Sequence, residues 1–337
     1  MSNLRIKDIA LKAGVSQATV SRTLRDPEIV SPKTRKKVMA VVDELGFTPN
    51  KLGASLRNGR SGNIVVITPD ISNPYFSPIV RAIERVAMSK GYNVLLGDTQ
   101  EDPTREFQFG DLVMSRQADG IIISSQRLPF NVNVHKNILN NLPPIVSTAE
   151  LLDLPEVHKV AVDNVAISAT AVQHLVDQGH SKIAVIAGTE SHVSTIERLK
   201  GMKKVMEAAG LTFDEKLVYY GDFSTQSGVD GVKNLLQKRN RPTAIYCFGD
   251  LVAIGAMHAL RELDYDIPGD ISVIGIDNIN FAQYCYPPLT TVAQPMELIG
   301  ETCANTLIDL IEGRKPEKLL NIMPHELVVR GSSSKPR

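Results

Sequence analysis

The apolar residues of the first 46 positions fall at helical spacing. Ile6, Ile9, Ala10 and Ala13 make one short stripe. Gly14 can close that helix in a left-handed conformation. Ser16 is placed to cap a second helix, in which Val20 and Leu24 point inward while Gln17, Ala18, Ser21 and Arg22 share the other face. Ser31 and Pro32 read as the cap and first residue of a third helix. Its stripe is Val38, Val41, Val42 and Leu45, and Gly46 ends it. Three such helices close a minimal core, and the first two form a helix-turn-helix.

Beyond residue 61 the pattern changes to short apolar runs alternating with helical stretches. The runs are 64–68, 93–98, 120–125, 144–148, 159–163, 182–188, 216–221, 243–249, 271–277 and 289–295, with a last one near 320–329. They read as buried parallel strands with helices between, such as 77–90, 103–117 and a final one ending at Gly313. So many strands exceed one open sheet of usual size, so two lobes are expected. The SSSKPR tail reads as disordered. The fold class is therefore an all-α helix-turn-helix head followed by an α/β domain of two lobes. The expected boundaries are 1–46 for the head, 47–61 for a linker and 62–337 for the body. Within the body, lobe 1 takes about 62–161 and 293–320, and lobe 2 about 162–290 and 321–331.

Charge separates head from body. Residues 1–60 hold 12 Lys/Arg against 5 Asp/Glu, a net of +7. The whole chain has 37 of each, so the other 277 of its 337 residues carry −7. A basic head on an acidic body points to a polyanion as partner for the head alone. Arg22 can reach a guanine edge or a phosphate, and Gln17 can pair with adenine. Ser16, Thr19 and Ser21 suit phosphate oxygens, and Ala18 lies on the same face. Three cysteines without metal spacing fit a reducing compartment. The start, MSNLRIKDIA, has no apolar core, so no export signal is read and a cytoplasmic location is expected. No membrane span or metal site is expected, and no cofactor.

Dispersed segments then carry a resemblance. IKDIALKAGVSQATVSRTL (6–24), VSPKTRKKV (30–38) and ELGFTPNKLGASLR (44–57) resemble the LacI family of bacterial repressors. So do QGHSKIAVIAG (178–188), PTAIYCFGD (242–250), IPGDISVIGIDN (267–278) and PPLTTVAQP (287–295). Arg5 departs from the family's usual Thr cap. Within the family, PDISNPYFSPIVRAIE, SSQRLPF, YGDFSTQSG and NFAQYCYPPLTT resemble a cytidine-responsive branch. The resemblance implies a periplasmic-binding-protein-like body, a palindromic operator bound by a homodimer, and a nucleoside effector, cytidine favoured. It also implies a second DNA-bound regulator of the cyclic-AMP receptor protein type as a partner. In relatives the linker is a hinge helix that orders on the operator. Asn50 and Leu56 join the DNA-contacting set there, the position of Leu56 wedging into the minor groove. Gly53 weakens such a helix. The family's leucine-rich tetramer-forming extension is not read after Arg330, which favours a dimer.

Ligands of open α/β sheets bind beyond the carboxyl ends of strands. That rule selects Tyr75, Phe76, Gln126, Thr148, His192, Ser194, Arg198, Phe223, Asp250 and Asp277. Aromatic faces can stack a base, and a carboxylate can accept two ribose hydroxyls. By resemblance, Asp277 and Arg198 match positions that contact sugar or effector, and Phe76 and Phe223 match positions that line or stack the base. His192 and Thr148 differ from a purine-binding relative, so base choice does not transfer. Tyr75 and Phe223 also fit a core, Asp250 also fits a helix cap, and His180 fits a helix end. The competing functions are a periplasmic-type ligand-binding protein, a family member with a sugar or purine effector, and an enzyme. The sequence contains no HExxH and no GxxxxGK[ST], so no catalytic residues are assigned.

Overall fold

A computed structural model describes residues 4–47, 59–238 and 241–337. The linker positions Asn50, Gly53 and Leu56 lie outside the described residues. The chain divides into two units, 1–61 and 62–337.

In the first unit, α1 (Ile6–Ala13), α2 (Gln17–Arg25) and α3 (Pro32–Leu45) follow the apolar stripes. Ile9, Ala10, Ala13, Val20, Val38, Val41, Val42 and Phe47 bury together, with Ile6, Leu24 and Leu45 packed at the margin. Gly14 takes φ 60°, and the Val15 N–H reaches back to the Ala10 carbonyl at 3.0 Å. This left-handed closure turns the chain directly into the next cap. Ser16 Oγ accepts from the Thr19 N–H at 3.1 Å. At the first helix no side chain caps from Arg5, but its own N–H donates to Asp8 Oδ2 at 2.8 Å. One half of a capping box thus remains.

In the second unit, the first sheet has the order β11-β5-β4-β3-β1-β2 and is parallel throughout. Its strands are β1 (Asn63–Thr68), β2 (Asn93–Asp98), β3 (Ile121–Ile123), β4 (Ile145–Thr148), β5 (His158–Val162) and β11 (Leu320–Met323). Beside them lie α4 (Phe76–Ser89), α5 (Pro103–Met114) and α10 (Met296–Ile311). The second sheet has the order β12-β10-β9-β8-β6-β7. It contains β6 (Ile183–Ala187), β7 (Val218–Tyr220), β8 (Ala244–Cys247), β9 (Ser272–Asp277), β10 (Thr290–Ala293) and β12 (Glu326–Val328), the last antiparallel to β10. Its helices are α6 (Asn164–Asp177), α7 (Val193–Ala208), α8 (Thr225–Leu236) and α9 (Asp250–Glu262). Central strands such as β3 and β6 are buried along their whole length, as apolar runs covered on both faces must be.

The chain crosses between lobes three times: after β5, after β10 and after β11. The expected single strand at 320–329 is in fact two, and β11 joins the first sheet while β12 joins the second. In α10, Gly300 lies so close to α4 that an added Cβ would strike the Ile79 carbonyl. The tail is also ordered, against expectation. Ser332 is fully buried, its carbonyl accepts from the Val273 N–H at 2.7 Å, and its Oγ accepts from Thr290 N and donates to Val273 O. His174 and His180 hold Ser333 and Ser334, and Arg337 pairs with Asp266 at 2.7 Å. A run of serines is polar by composition, yet here the Ser332 and Ser333 hydroxyls bond to the strand residues Thr290 and Val273.

Candidate ligand cleft and nucleic-acid interface

In the head, α2 exposes Gln17, Ala18 and Arg22, while Thr19 and Ser21 are half-buried. The Ser16 and Thr19 hydroxyls pair at 2.9 Å, so both already serve the cap. The exposed residues therefore offer one amide at the start of α2 and one cation five residues on.

In the body, a cleft of about 780 Å³ lies between the lobes at the carboxyl ends of both sheets. That volume is in the range of small-molecule sites. Eight of the ten expected residues line it: Tyr75, Phe76, Thr148, His192, Ser194, Arg198, Phe223 and Asp277. Five of its lining residues, Gln100, Glu101, Ala149, Phe223 and Asp277, are non-glycine residues with positive φ. Such backbone is held only where its surroundings over-determine it.

The polar wall is built from two linked groups. Arg198 is buried, donating to Asn164 Oδ1 at 2.9 Å and to the Phe248 carbonyl at 2.5 Å. Asp277, at the end of β9, accepts from Gln294 Nε2 at 2.7 Å, and Gln294 Oε1 accepts from the Tyr75 hydroxyl at 3.3 Å. Burial lifts the Asp277 carboxyl to about 6, with the Arg198 charge and the Gln294 amide opposing the rise. Burial, then Asp277, pushes the Tyr75 hydroxyl above its usual range. The aromatic wall includes Tyr75 edge-on to Phe76, with centroids 5.0 Å apart, and Phe223 stacked on His192 at 6.0 Å and 23°. Gly188 is obligatory beneath Phe223, because a Cβ would enter the ring.

Two expected residues are not on the wall. Asp250 is fully buried below it, its carboxylate accepting from Thr291 Oγ1 at 2.6 Å and the Ile279 N–H at 2.9 Å. Burial and the Asp277 charge push its carboxyl well up. It ties the ends of β9 and β10 rather than capping its own helix. Gln126 is off the wall and donates to the wall residue Glu150 at 3.1 Å. Conversely, Glu101, Glu150, Asn164 and Gln294 line the cleft without having been selected. Asn164 and Glu150 carried a signal, since each lies two residues beyond the end of a strand. Among the described residues no group of His, Cys, Asp or Glu is placed to hold a metal, and no helix is long and apolar enough to cross a membrane.

Comparison with known proteins now decides the family. Residues 5–50 match the model of bacterial regulatory proteins of the lacI family, and residues 172–333 match a periplasmic binding protein-like domain. The chain is 39% identical over 331 residues to the HTH-type transcriptional repressor CytR of Escherichia coli strain K12, covering 97% of this chain and 96% of that one. The chain belongs to the LacI family. This LacI-family protein is also 36% identical over 330 residues to the transcriptional regulator DegA of Bacillus subtilis, covering 98% of each. In structure it is similar to the Lac repressor dimer bound to operator and the anti-inducer ONPF, with TM-score 0.85 at 28% identity over 98% of this chain and 99% of that one. It is a DNA-binding transcriptional repressor by family, with a helix-turn-helix region and a two-lobed body.

Proposed function

We propose that this LacI-family repressor binds a palindromic operator as a homodimer through α2, with Arg22 and Gln17 reading bases, and that a nucleoside, cytidine favoured, controls it from the cleft. The observation that carries the effector assignment is the pairing in one cleft of aromatic faces, Phe76 and Phe223, with a carboxylate, Asp277, beside a buried cation, Arg198. A nucleoside needs both an apolar face for its base and an acceptor for its hydroxyls. The likeness to CytR supports cytidine, and the likeness to the Lac repressor dimer supports the homodimer. The role is binding rather than turnover.

The ligand can change DNA affinity only by binding one lobe arrangement better than another. The test joins both sites. Operator binding, with +7 on each head, is expected to weaken steeply with salt, with a log–log slope of about −5 to −9 for six to ten neutralised phosphates. Arg22→Ala is expected to lose operator affinity more than non-specific affinity. A salt-independent affinity, or equal losses on both DNAs, rejects the DNA half. A thermal-shift screen in which sugars stabilise the chain and nucleosides do not rejects the effector half.

A further inference from the structure

We infer that Glu150 is the residue that selects the base, by accepting a hydrogen bond from an exocyclic amine; this rests on the nucleoside reading above. Glu150 follows β4 in the first lobe, and its side chain is 15% exposed at the cleft wall. An ionised carboxylate offers about four acceptor positions. Oε2 accepts from Gln126 Nε2 at 3.1 Å and from the Ser194 N–H at 3.4 Å. Oε1 accepts from the Ser194 hydroxyl. One position on Oε1 is left over.

The neighbours fix what belongs there. His192 Nδ1 lies 3.8 Å from Glu150 Oε1, beyond hydrogen-bond length, and is buried without a hydrogen-bond partner. Thr148 Oγ1, two residues before Glu150 on the same wall, is likewise buried and unpartnered. The His192 ring is the one stacked on Phe223, so a base against Phe223 has Glu150 beside it. Unsatisfied polar atoms around a spare acceptor call for a ligand donor. The donor that a nucleobase edge can offer a carboxylate is an amine, as on cytosine N4. Uracil would turn its 4-carbonyl toward the same oxygen, placing two acceptors against each other, which is how a site rejects a near-isostere.

Glu150 is held for this task from the other lobe. It receives the N–H and hydroxyl of Ser194 at the first turn of α7, whose cap residue His192 makes no capping bond of its own. The helix N-terminus and the carboxylate attract each other.

The test is calorimetry on the full chain with cytidine and uridine. The parent is expected to prefer cytidine by about tenfold to a hundredfold. Glu150→Gln, nearly isosteric, is expected to bring that ratio to one or below, because its amide can donate to the uracil carbonyl. Ser194→Ala is expected to weaken both ligands in proportion and keep the ratio, since it removes the contact between lobes and not the acceptor. A parent that binds neither nucleoside overturns the nucleoside reading itself. A parent that binds both alike overturns the Glu150 assignment alone. So does a Glu150→Gln variant that keeps the ratio, or a Ser194→Ala variant that loses it.

Discussion

The two lobes wind their sheets in the same order but bring different chemistry to the cleft. In each, the second strand lies outside the first, and the third, fourth and fifth follow on the other side. The first lobe contributes Tyr75 and Phe76 with the carboxylates Glu101 and Glu150. The second contributes Arg198, His192 and Asp277 with Phe223. Where they meet, the contacts are complementary: Glu101 stands 3.7 Å from His192, and Tyr75 reaches Asp277 through Gln294. A shared winding sets where strand ends point, and only the loop residues decide what they say. Neither lobe alone holds both the proposed sugar acceptor and the assigned base reader, so under the nucleoside reading one ligand bridges the two lobes.

The largest expected effect tests whether the sugar end belongs to the second lobe. Asp277→Ala is expected to cost about 1.5–3 kcal/mol of cytidine affinity, the worth of a charge-assisted bond. A deoxyribose analogue is expected to bind the parent weakly. Unchanged cytidine affinity by calorimetry removes Asp277 from the site and breaks the division of labour.

A smaller effect sharpens it through pH. The Asp277 carboxyl is raised from 3.8 to about 6 in the folded chain, so between those values the folded state holds a proton that the unfolded state has released. Stability from this group therefore falls as pH rises from about 4 to 6, by on the order of 3 kcal/mol, and is level above. Cytidine affinity runs the other way across the same window, because the ionised form is the better acceptor. Urea unfolding and calorimetry at pH 4.5 and 7.5 check both signs. Asp277→Asn is expected to flatten both, and a parent that shows the stability trend with a level affinity refutes the carboxylate's part in binding.

The strand ends of the body were legible because buried apolar runs and the strand-end rule are local. Eight of the cleft residues follow from them. The placement of Glu150 after β4 was within reach of the rule, but its contact with Ser194 was not, since that helix begins 43 residues later. Gln294 is similar: a polar residue in a crossing segment gives no sign that it bridges Tyr75 and Asp277. Asp250 shows the opposite failure. It follows a strand as the rule demands, at the start of α9, but its carboxylate turns down to Thr291 and Ile279. The tail misled because hydropathy records that serine is polar and not that its hydroxyl has a neighbour.

The smallest expected effect concerns the first lobe's backbone. Ala149 sits at φ 57°, and its methyl packs at the margin of the core. Ala149→Gly is expected to stabilise the chain by about 1 kcal/mol, read as a shift in the urea midpoint, with the cytidine-to-uridine ratio unchanged. No gain in stability would mean that this turn is not strained.

The clustering of left-handed backbone around the cleft has an evolutionary consequence. Phe223 and Asp277, which the nucleoside reading sets against the effector, stand on such backbone, while the strands behind them are buried and apolar. Drift in the sheets changes robustness and leaves recognition alone. Substitution at Phe223 or Asp277 is expected to change both at once, so a lineage that acquires a new effector there must draw on stability held in reserve elsewhere. Specificity in such a scaffold is then expected to diversify fastest in those descendants whose cores have already been over-stabilised.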